Sequence, residues 1–313
     1  MASQVSQGSG NKIDYFDMLP EGCVADTVAH TTPLDACRFT LVAPSFRSIA
    51  DSNAVWERFL PSDYGQLISR AVPAALQTIH QLLASSPKKK LYLFLSDHPL
   101  LIDDGTMTFS LDKWTGKKCF MIAARELAIV WSDTPRYWRW TSDKESRFGK
   151  AIELISVCWL EIRGKINTTL LSPDTDYTTY LVYKPAVVVY GFEHQPVEIS
   201  VGLCGEESMK RTVFLDPEGG LQANYVRVPR RLTLLHSTRA ANQPRPQIPF
   251  PVDVDRRYPK ARKDGWLEIE LAQYFHKEGE NRELEISMME IKGGHWKSGL
   301  VIQGIEIRAK SGN

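Results

Sequence analysis

The chain has 313 residues, of which 43% are hydrophobic and 24% charged, and its net charge is +1. These are ordinary globular values: they exclude a largely disordered polymer and leave no broad basic footprint for nucleic acid or an anionic membrane. The polar stretch Met1 to Asn11 lacks a signal-peptide core, and no segment reaches the ~18 consecutive apolar residues of a membrane helix. The five cysteines, Cys23, Cys37, Cys119, Cys158 and Cys204, are scattered and form no CxxC pair. No zinc site, metal or cofactor is expected from them, and they read as reduced thiols of a nuclear and cytoplasmic protein.

From Ile13 to about Leu60 the apolar spacing is helical. Val24 and Val28 stand one turn apart after Leu19-Pro20. "TPLDACRFTLV" then opens with a capping residue, Thr32, with Pro33 at the first helical position and Asp35 at the positive end of the dipole. Leu34, Cys37, Leu41 and Val42 fall on one face of that helix, which Pro44 ends or kinks. A third piece, "SFRSIADSNAVWERFLP", contributes Phe46, Ile49, Trp56, Phe59 and Leu60. So short a helical unit buries too little surface to stand alone, and part of its apolar surface awaits a partner or the rest of the chain.

Residues 62–113 read as a connector, with a helix over "QLISRAVPAALQTIHQLLASS" and a short strand and turn over "KKKLYLFLSDHPLLIDDG". Lys88-Lys89-Lys90 is expected to be solvated loop. From "TMTFSLDKW" onward the period becomes two. "SVCWLEIRGKI" sets Cys158, Leu160 and Ile162 against Val157, Trp159 and Glu161, and "GWLEIELAQYF", "RELEISMMEI" and "SGLVIQGIEIR" continue the alternation. Strands with two unlike faces predict an antiparallel β-sandwich. "HSTRAANQPRPQIPFP", His236 to Pro251, reads as a surface loop. The expected fold class is therefore multidomain α plus β: helical 12–61, connector 62–113, sandwich 114–313.

No nucleophile elbow, HExxH, P-loop or GxGxxG occurs, and single histidines such as His98, His194, His276 and His295 have no metal-ligand spacing. A non-catalytic protein is expected; a pair of strand carboxylates for glycoside hydrolysis is the weaker alternative. The densest chemical signal is "WSDTPRYWRW", with three of the chain's eight tryptophans, Trp131, Trp138 and Trp140. Indoles serve either as core or as flat platforms for the apolar faces of sugar rings. Pro135 favours a turn that brings Trp131 beside Trp138. Along "RELEISMMEI" the alternation places Glu283 and Glu285 on one face and Glu290 on the apolar side, where a carboxylate needs a partner such as Lys297, the Trp296 N–H or a ligand hydroxyl.

Leu19-Pro20-Glu21, Leu34-Asp35, Val42 and "VWERFL" resemble an F-box, the helical motif that docks on a Skp-type adaptor and so joins a cullin ubiquitin ligase. Gly22-Cys23 stands where the motif usually has bulky apolar residues, and Phe46 where many members have tryptophan. The resemblance implies adaptor-binding roles for Leu19, Pro20, Val24, Leu34, Val42 and Trp56. "KKCFMIAARELAIVWSDTPRYWRW", "ISVCWLEIRGKI", "RKDGWLEIEL" and "MMEIKGGHWKSGLVIQGIEIR" resemble the plant phloem-lectin domain, shared with the tobacco agglutinin. That second resemblance spans nearly all of Trp114 to Arg308. It implies a jelly-roll-like sandwich that binds N-acetylglucosamine-type glycans or glycoproteins through Trp131, Trp138, Glu283 and Glu290, with Trp140 left to packing. The implied function is a substrate receptor of a ubiquitin ligase; the alternative is an F-box adaptor whose β domain binds a protein without carbohydrate.

Overall fold

The computed structural model describes residues 19–85, 87–192, 195–216 and 258–310. The expectations for Met1 to Asn11, for 12–18, for His194 and for the loop His236 to Pro251 lie outside the described residues. Four short helices open the described chain: α1 (Glu21–Ala29), α2 (Pro33–Phe39), α3 (Pro44–Ala50) and α4 (Asn53–Phe59). The N-terminal signature of α2 forms as its sequence dictates: Thr32 Oγ1 accepts from the Asp35 N–H at 3.1 Å, with Pro33 in the first turn. Pro44 opens α3 rather than kinking a longer helix, because α2 has already ended at Phe39. Leu41 and Val42 therefore sit in a turn, not on the apolar face of α2, and are 80% and 67% exposed.

The connector folds as α5 (Tyr64–Ser69), α6 (Pro73–Ser85) and α7 (Lys88–Asp97). Over "KKKLYLFLSDHPLLIDDG" the first half is thus a helix, and the expected short strand and turn follow it at Leu100–Ile102 and Asp103–Gly105. The local pattern of the first half suits either period, and tertiary contacts decide. Asn53 Oδ1 accepts from the Lys88 N–H at 2.8 Å, and Lys88 and Lys89 pair with Glu57 and Asp51 at 2.8 and 2.6 Å. The lysine run is consequently not solvated loop but joins α7 to α4 and the turn before it, with Glu57 and Asp51 offsetting two of the three cations at a helix N-terminus. Leu91, Tyr92 and Leu95 then face inward, one turn apart. Trp56, fully buried, donates its indole N–H to the Ala50 carbonyl at 2.7 Å and meets the Tyr92 ring edge-on at 5.1 Å.

Strands follow: β1 (Leu100–Ile102), β2 (Met107–Leu111), β3 (Lys118–Ala123), β4 (Ala128–Ile129), β5 (Trp138–Ser142), β6 (Lys150–Leu154) and β7 (Leu160–Asn167). The rest are β8 (Thr175–Tyr190), β9 (Val197–Leu203), β10 (Met209–Val213), β11 (Lys260–Ala261), β12 (Leu267–His276), β13 (Glu283–Glu290) and β14 (Ser298–Ala309). They make two antiparallel sheets. The larger runs β1-β2-β3-β14-β8-β12-β11, with β6 also on β14 and β5 on β6; the smaller runs β10-β9-β13-β7-β4. Sheet structure thus begins at Leu100, inside the segment read as connector. The alternation read from "SVCWLEIRGKI" is kept from Leu160 on, with Leu160, Ile162, Gly164 and Ile166 inside. Before the strand, Val157, set on the outer face, is instead fully buried where it bridges Lys297, and Cys158 is half-buried.

Residues of both sheets and of the helices belong to one apolar core. At the junction, the Tyr92 hydroxyl donates to the Asp112 carbonyl at 3.0 Å, and Lys118 of β3 reaches Asp63 at 2.9 Å. Gly116 has φ +73°, and a Cβ there would come within 3.0 Å of the Phe59 carbonyl oxygen, so the loop before β3 and the end of α4 approach too closely for a larger residue.

The large sheet also buries part of its other face, where Met121, Ala151, Val182, Trp266 and Val301 cluster. Beside them Glu306 receives Arg147 at 2.7 Å and Arg262 at 2.6 Å, while Arg308 bonds Glu268 at 2.8 Å and stacks on Tyr180. Burial pushes the Glu306 carboxyl up, but the three arginines outweigh it and hold it below its ordinary value. A carboxyl depressed in the folded state stabilises above its unfolded pKa, and that contribution is lost as pH falls through the folded value. Glu306→Gln is therefore expected to cost about 1–3 kcal/mol at pH 7. In urea denaturation the gap to the parent should be constant above pH ~5 and shrink on acidification below the ordinary carboxylate range.

Candidate functional site

Two groups of exposed apolar side chains stand out, one in each part of the chain. On the helices, Leu19 (49% exposed) sits at the mouth of an apolar groove lined by Val24, Thr27, Val28, Thr31, Asp35 and Phe39. Leu41 and Val42 add the most exposed aliphatic side chains among the described residues of this part. Of the six residues expected to contact an adaptor, Leu19, Pro20 and Val42 are exposed and Leu34 is half-buried. Val24 is buried at the floor of the groove. Trp56 is corrected from a contact to a core residue: its ring lies among Phe59, Tyr92 and the Lys89 ammonium, out of reach of any partner.

The second group lies at one end of the sandwich. Trp131 follows the β4 edge, where the Val130 N–H donates to the Glu161 carbonyl at 3.1 Å. The chain then turns sharply, with the Ser132 N–H on Ile129 O and the Thr134 N–H on Trp131 O. Trp131 itself adopts φ +62°, a left-handed conformation that a bulky aromatic residue holds only when its surroundings force it. Its ring is 41% exposed and leans on the Tyr137 ring at 5.2 Å.

The turn expected at Pro135 does bring the chain back, but Trp138 arrives as core. It is 2% exposed, and its indole N–H donates to the Val130 carbonyl at 3.0 Å. The expectation that Trp138 faces a sugar is overturned on that ground. Its ring face is packed, and its one polar atom braces the turn that displays Trp131. Trp140, assigned to packing, is instead 44% exposed, because β5 lies at an edge and the second indole of its face runs past the core.

The two glutamates also separate. Glu283 and Glu290 are the first and last residues of β13, opposite Asn167 and Leu160 of β7, so about 23 Å of strand lies between them. An odd spacing also turns them to opposite faces. Glu283 is exposed and bonds Lys165 at 3.2 Å. Glu290 is 5% exposed, and its partner is Lys297, the first of the candidates weighed for it. Lys297 is fully buried and also donates to the His295 carbonyl at 2.6 Å, while Glu290 Oε1 accepts from the Gly293 N–H at 3.1 Å. The pair closes the 291–297 loop from beneath, and neither charge is available to a ligand as it stands. Of the four expected residues, Trp131, Trp138 and Glu290 lie at one end of the sandwich, and of these Trp131 alone is open there.

Three aromatic residues at this end were not among the expected site. Trp159 is 40%, Tyr190 40% and Trp296 49% exposed. They are joined by short links: Tyr137 O accepts from the Ile155 and Ser156 N–H groups, Ser156 and Tyr190 share a hydroxyl bond at 2.9 Å, and Val157 bridges Lys297. Trp159 donates its indole N–H to Glu161 Oε2 at 2.9 Å, and Glu161 Oε1 accepts from Arg163 Nε at 2.9 Å. These two hydrogen bonds hold the Glu161 carboxyl below its ordinary range. The signal for Trp159 was present in the alternation, which set it beside Glu161 and against Leu160.

Residues 117–309 match the family model described as Phloem protein 2. The chain is 38% identical to F-box protein PP2-B1 of Arabidopsis thaliana, over 97% of this chain and 93% of that one. It is 41% identical to F-box protein At2g02240 of the same plant, over 94% and 80% respectively. Among solved structures, the CBM22-1 xylan-binding domain of Xyn10C from Paenibacillus barcinonensis aligns with 10% identity over 62% of this chain and 87% of that one, at a TM-score of 0.27. A likeness that remote bears on neither fold nor ligand.

Proposed function

Because the chain belongs to the phloem protein 2 family and its close relatives are F-box proteins, we propose that it is a substrate receptor: its helices dock a Skp-type adaptor of a cullin ubiquitin ligase, and its sandwich binds an N-acetylglucosamine-type glycan or glycoprotein. The observation that carries the reading is the pairing of two separate exposed apolar groups, one on the helices and one at the aromatic end of the sandwich. In such a receptor the chemistry belongs to the conjugating enzymes, and this chain supplies proximity. A nuclear and cytoplasmic location goes with the proposal.

Leu41 and Val42 stand too exposed to serve their own core, and covering such a side chain stabilises a complex by about 1.5–3 kcal/mol. Val42→Asp is therefore expected to weaken adaptor binding about tenfold or more in calorimetry with the full chain, with the helical circular dichroism unchanged. Unaltered affinity would remove Val42, and the turn that carries it, from the docking face. A second reading, in which the sandwich binds a protein without carbohydrate, is favoured by Val187 and Val188, 95% and 55% exposed near Tyr190. Aliphatic branches suit a protein side chain better than a sugar ring. A glycan array probed with the full chain separates the two, and a blank array with native folding selects the second.

A further inference from the structure

We propose that Trp159 is a ligand-stacking residue of the sandwich, standing in the place expected for Trp138, and that Glu161 is the positioning residue that fixes its ring. The proposal rests on the carbohydrate reading above and names which side chains would carry it.

Trp159 lies just before β7, on the solvent side of the smaller sheet, and is 40% exposed. A hydrogen-bonded chain fixes its ring. Its N–H goes to Glu161, Arg163 Nε goes to the other oxygen of Glu161, and Arg163 Nη1 crosses to Glu285 of β13 at 2.9 Å. Both oxygens of Glu161 are thereby occupied. An exposed indole is ordinarily free to turn, and ordering it on binding costs about 0.5–1.5 kcal/mol. Here the ring is ordered before any ligand arrives.

The same bonds decide what Trp159 can recognise. With its only donor already satisfied, it offers a partner the flat faces of the ring and nothing polar. Such a surface suits the C–H face of a pyranose ring. Trp131 is its natural companion. The Val130 N–H to Glu161 O rung ties the two backbones together, with Trp131 one residue beyond Val130 and Trp159 two residues before Glu161. One indole is displayed by a left-handed residue and the other by a carboxylate, and both are about two-fifths exposed. The Ser156 hydroxyl, just before Trp159 in the chain, and the Tyr190 hydroxyl bonded to it are the polar rim for the same ligand.

The test is calorimetry of the full chain against soluble N-acetylglucosamine oligomers, alongside tryptophan emission. Trp159→Ala is expected to bind at least tenfold more weakly. Trp159→Phe, which keeps a ring face but loses the N–H that Glu161 holds, should weaken binding about threefold, well short of the loss in Trp159→Ala. Glu161→Ala leaves the indole in place but frees it, and should weaken binding about threefold. The ligand-induced change in emission should be smaller in Trp159→Phe than in the parent. Parent-like affinity in both Trp159→Ala and Glu161→Ala would overturn this inference while leaving carbohydrate binding intact. A parent chain that binds no oligomer would instead overturn the carbohydrate reading, and the assignment of Trp159 with it.

Discussion

Lys297→Met is expected to destabilise the protein by about 3–5 kcal/mol in urea denaturation, because it leaves the Glu290 carboxylate buried without its cation. Lys297 is fully buried and bonds the His295 carbonyl as well, so the substitution also removes the clip on the 291–297 loop. The double variant Glu290→Gln with Lys297→Met should recover most of that loss. Gln can still accept from the Gly293 N–H, and methionine fills the volume of the lysine stem without a charge. A single variant as stable as the parent would show that water reaches the pair and that the loop is held by other means. The stake is functional as well as structural, since this loop carries Trp296 into the aromatic end of the sandwich.

Trp138→Ala is expected to cost about 3–5 kcal/mol, the usual range for emptying a core site of a large aromatic ring. Trp131→Ala should cost little, because it removes a ring that is 41% exposed and keeps the Cβ, so the left-handed strain of the backbone is unchanged. Thermal denaturation of the two variants side by side distinguishes core from platform. Ligand binding should be lost in both, but for different reasons. Trp131→Ala removes the stacking face from a folded protein, whereas Trp138→Ala releases the Val130 carbonyl and unseats the turn. A stable Trp138→Ala variant that still fails to bind would restore Trp138 to the ligand.

Much of the fold could be read directly from the residues. The capping residue Thr32, the switch from a helical period to a strand period, and the inward set of "LEIRGKI" each depend on local rules that tertiary structure left alone. The need of Glu290 for a partner was legible too, since alternation alone set a carboxylate among apolar neighbours. What could not be read from local pattern depended on distant chain. The helix α7 is fixed by Asn53, Asp51 and Glu57, more than thirty residues upstream in sequence. The burial of Trp138 depends on a turn that folds back onto the β4 edge.

The expected ligand set shows a different limit. The family resemblance groups Glu283 with Glu290, whereas their odd spacing on one strand puts them on opposite faces. Trp159, with an acceptor two residues away at Glu161, reads in the sequence as ordinary strand alternation. Parity along a strand was the better guide to which residues can share a ligand.

The central claim is that one chain holds an adaptor and a glycan at once. Immobilised N-acetylglucosamine oligomers incubated with a Skp-type adaptor, with and without the chain, test it directly. The adaptor should be retained only when the chain is present, released by free oligomer, and lost with either Val42→Asp or Trp131→Ala. Retention of neither protein, by a chain that still binds the adaptor in solution, would contradict the account.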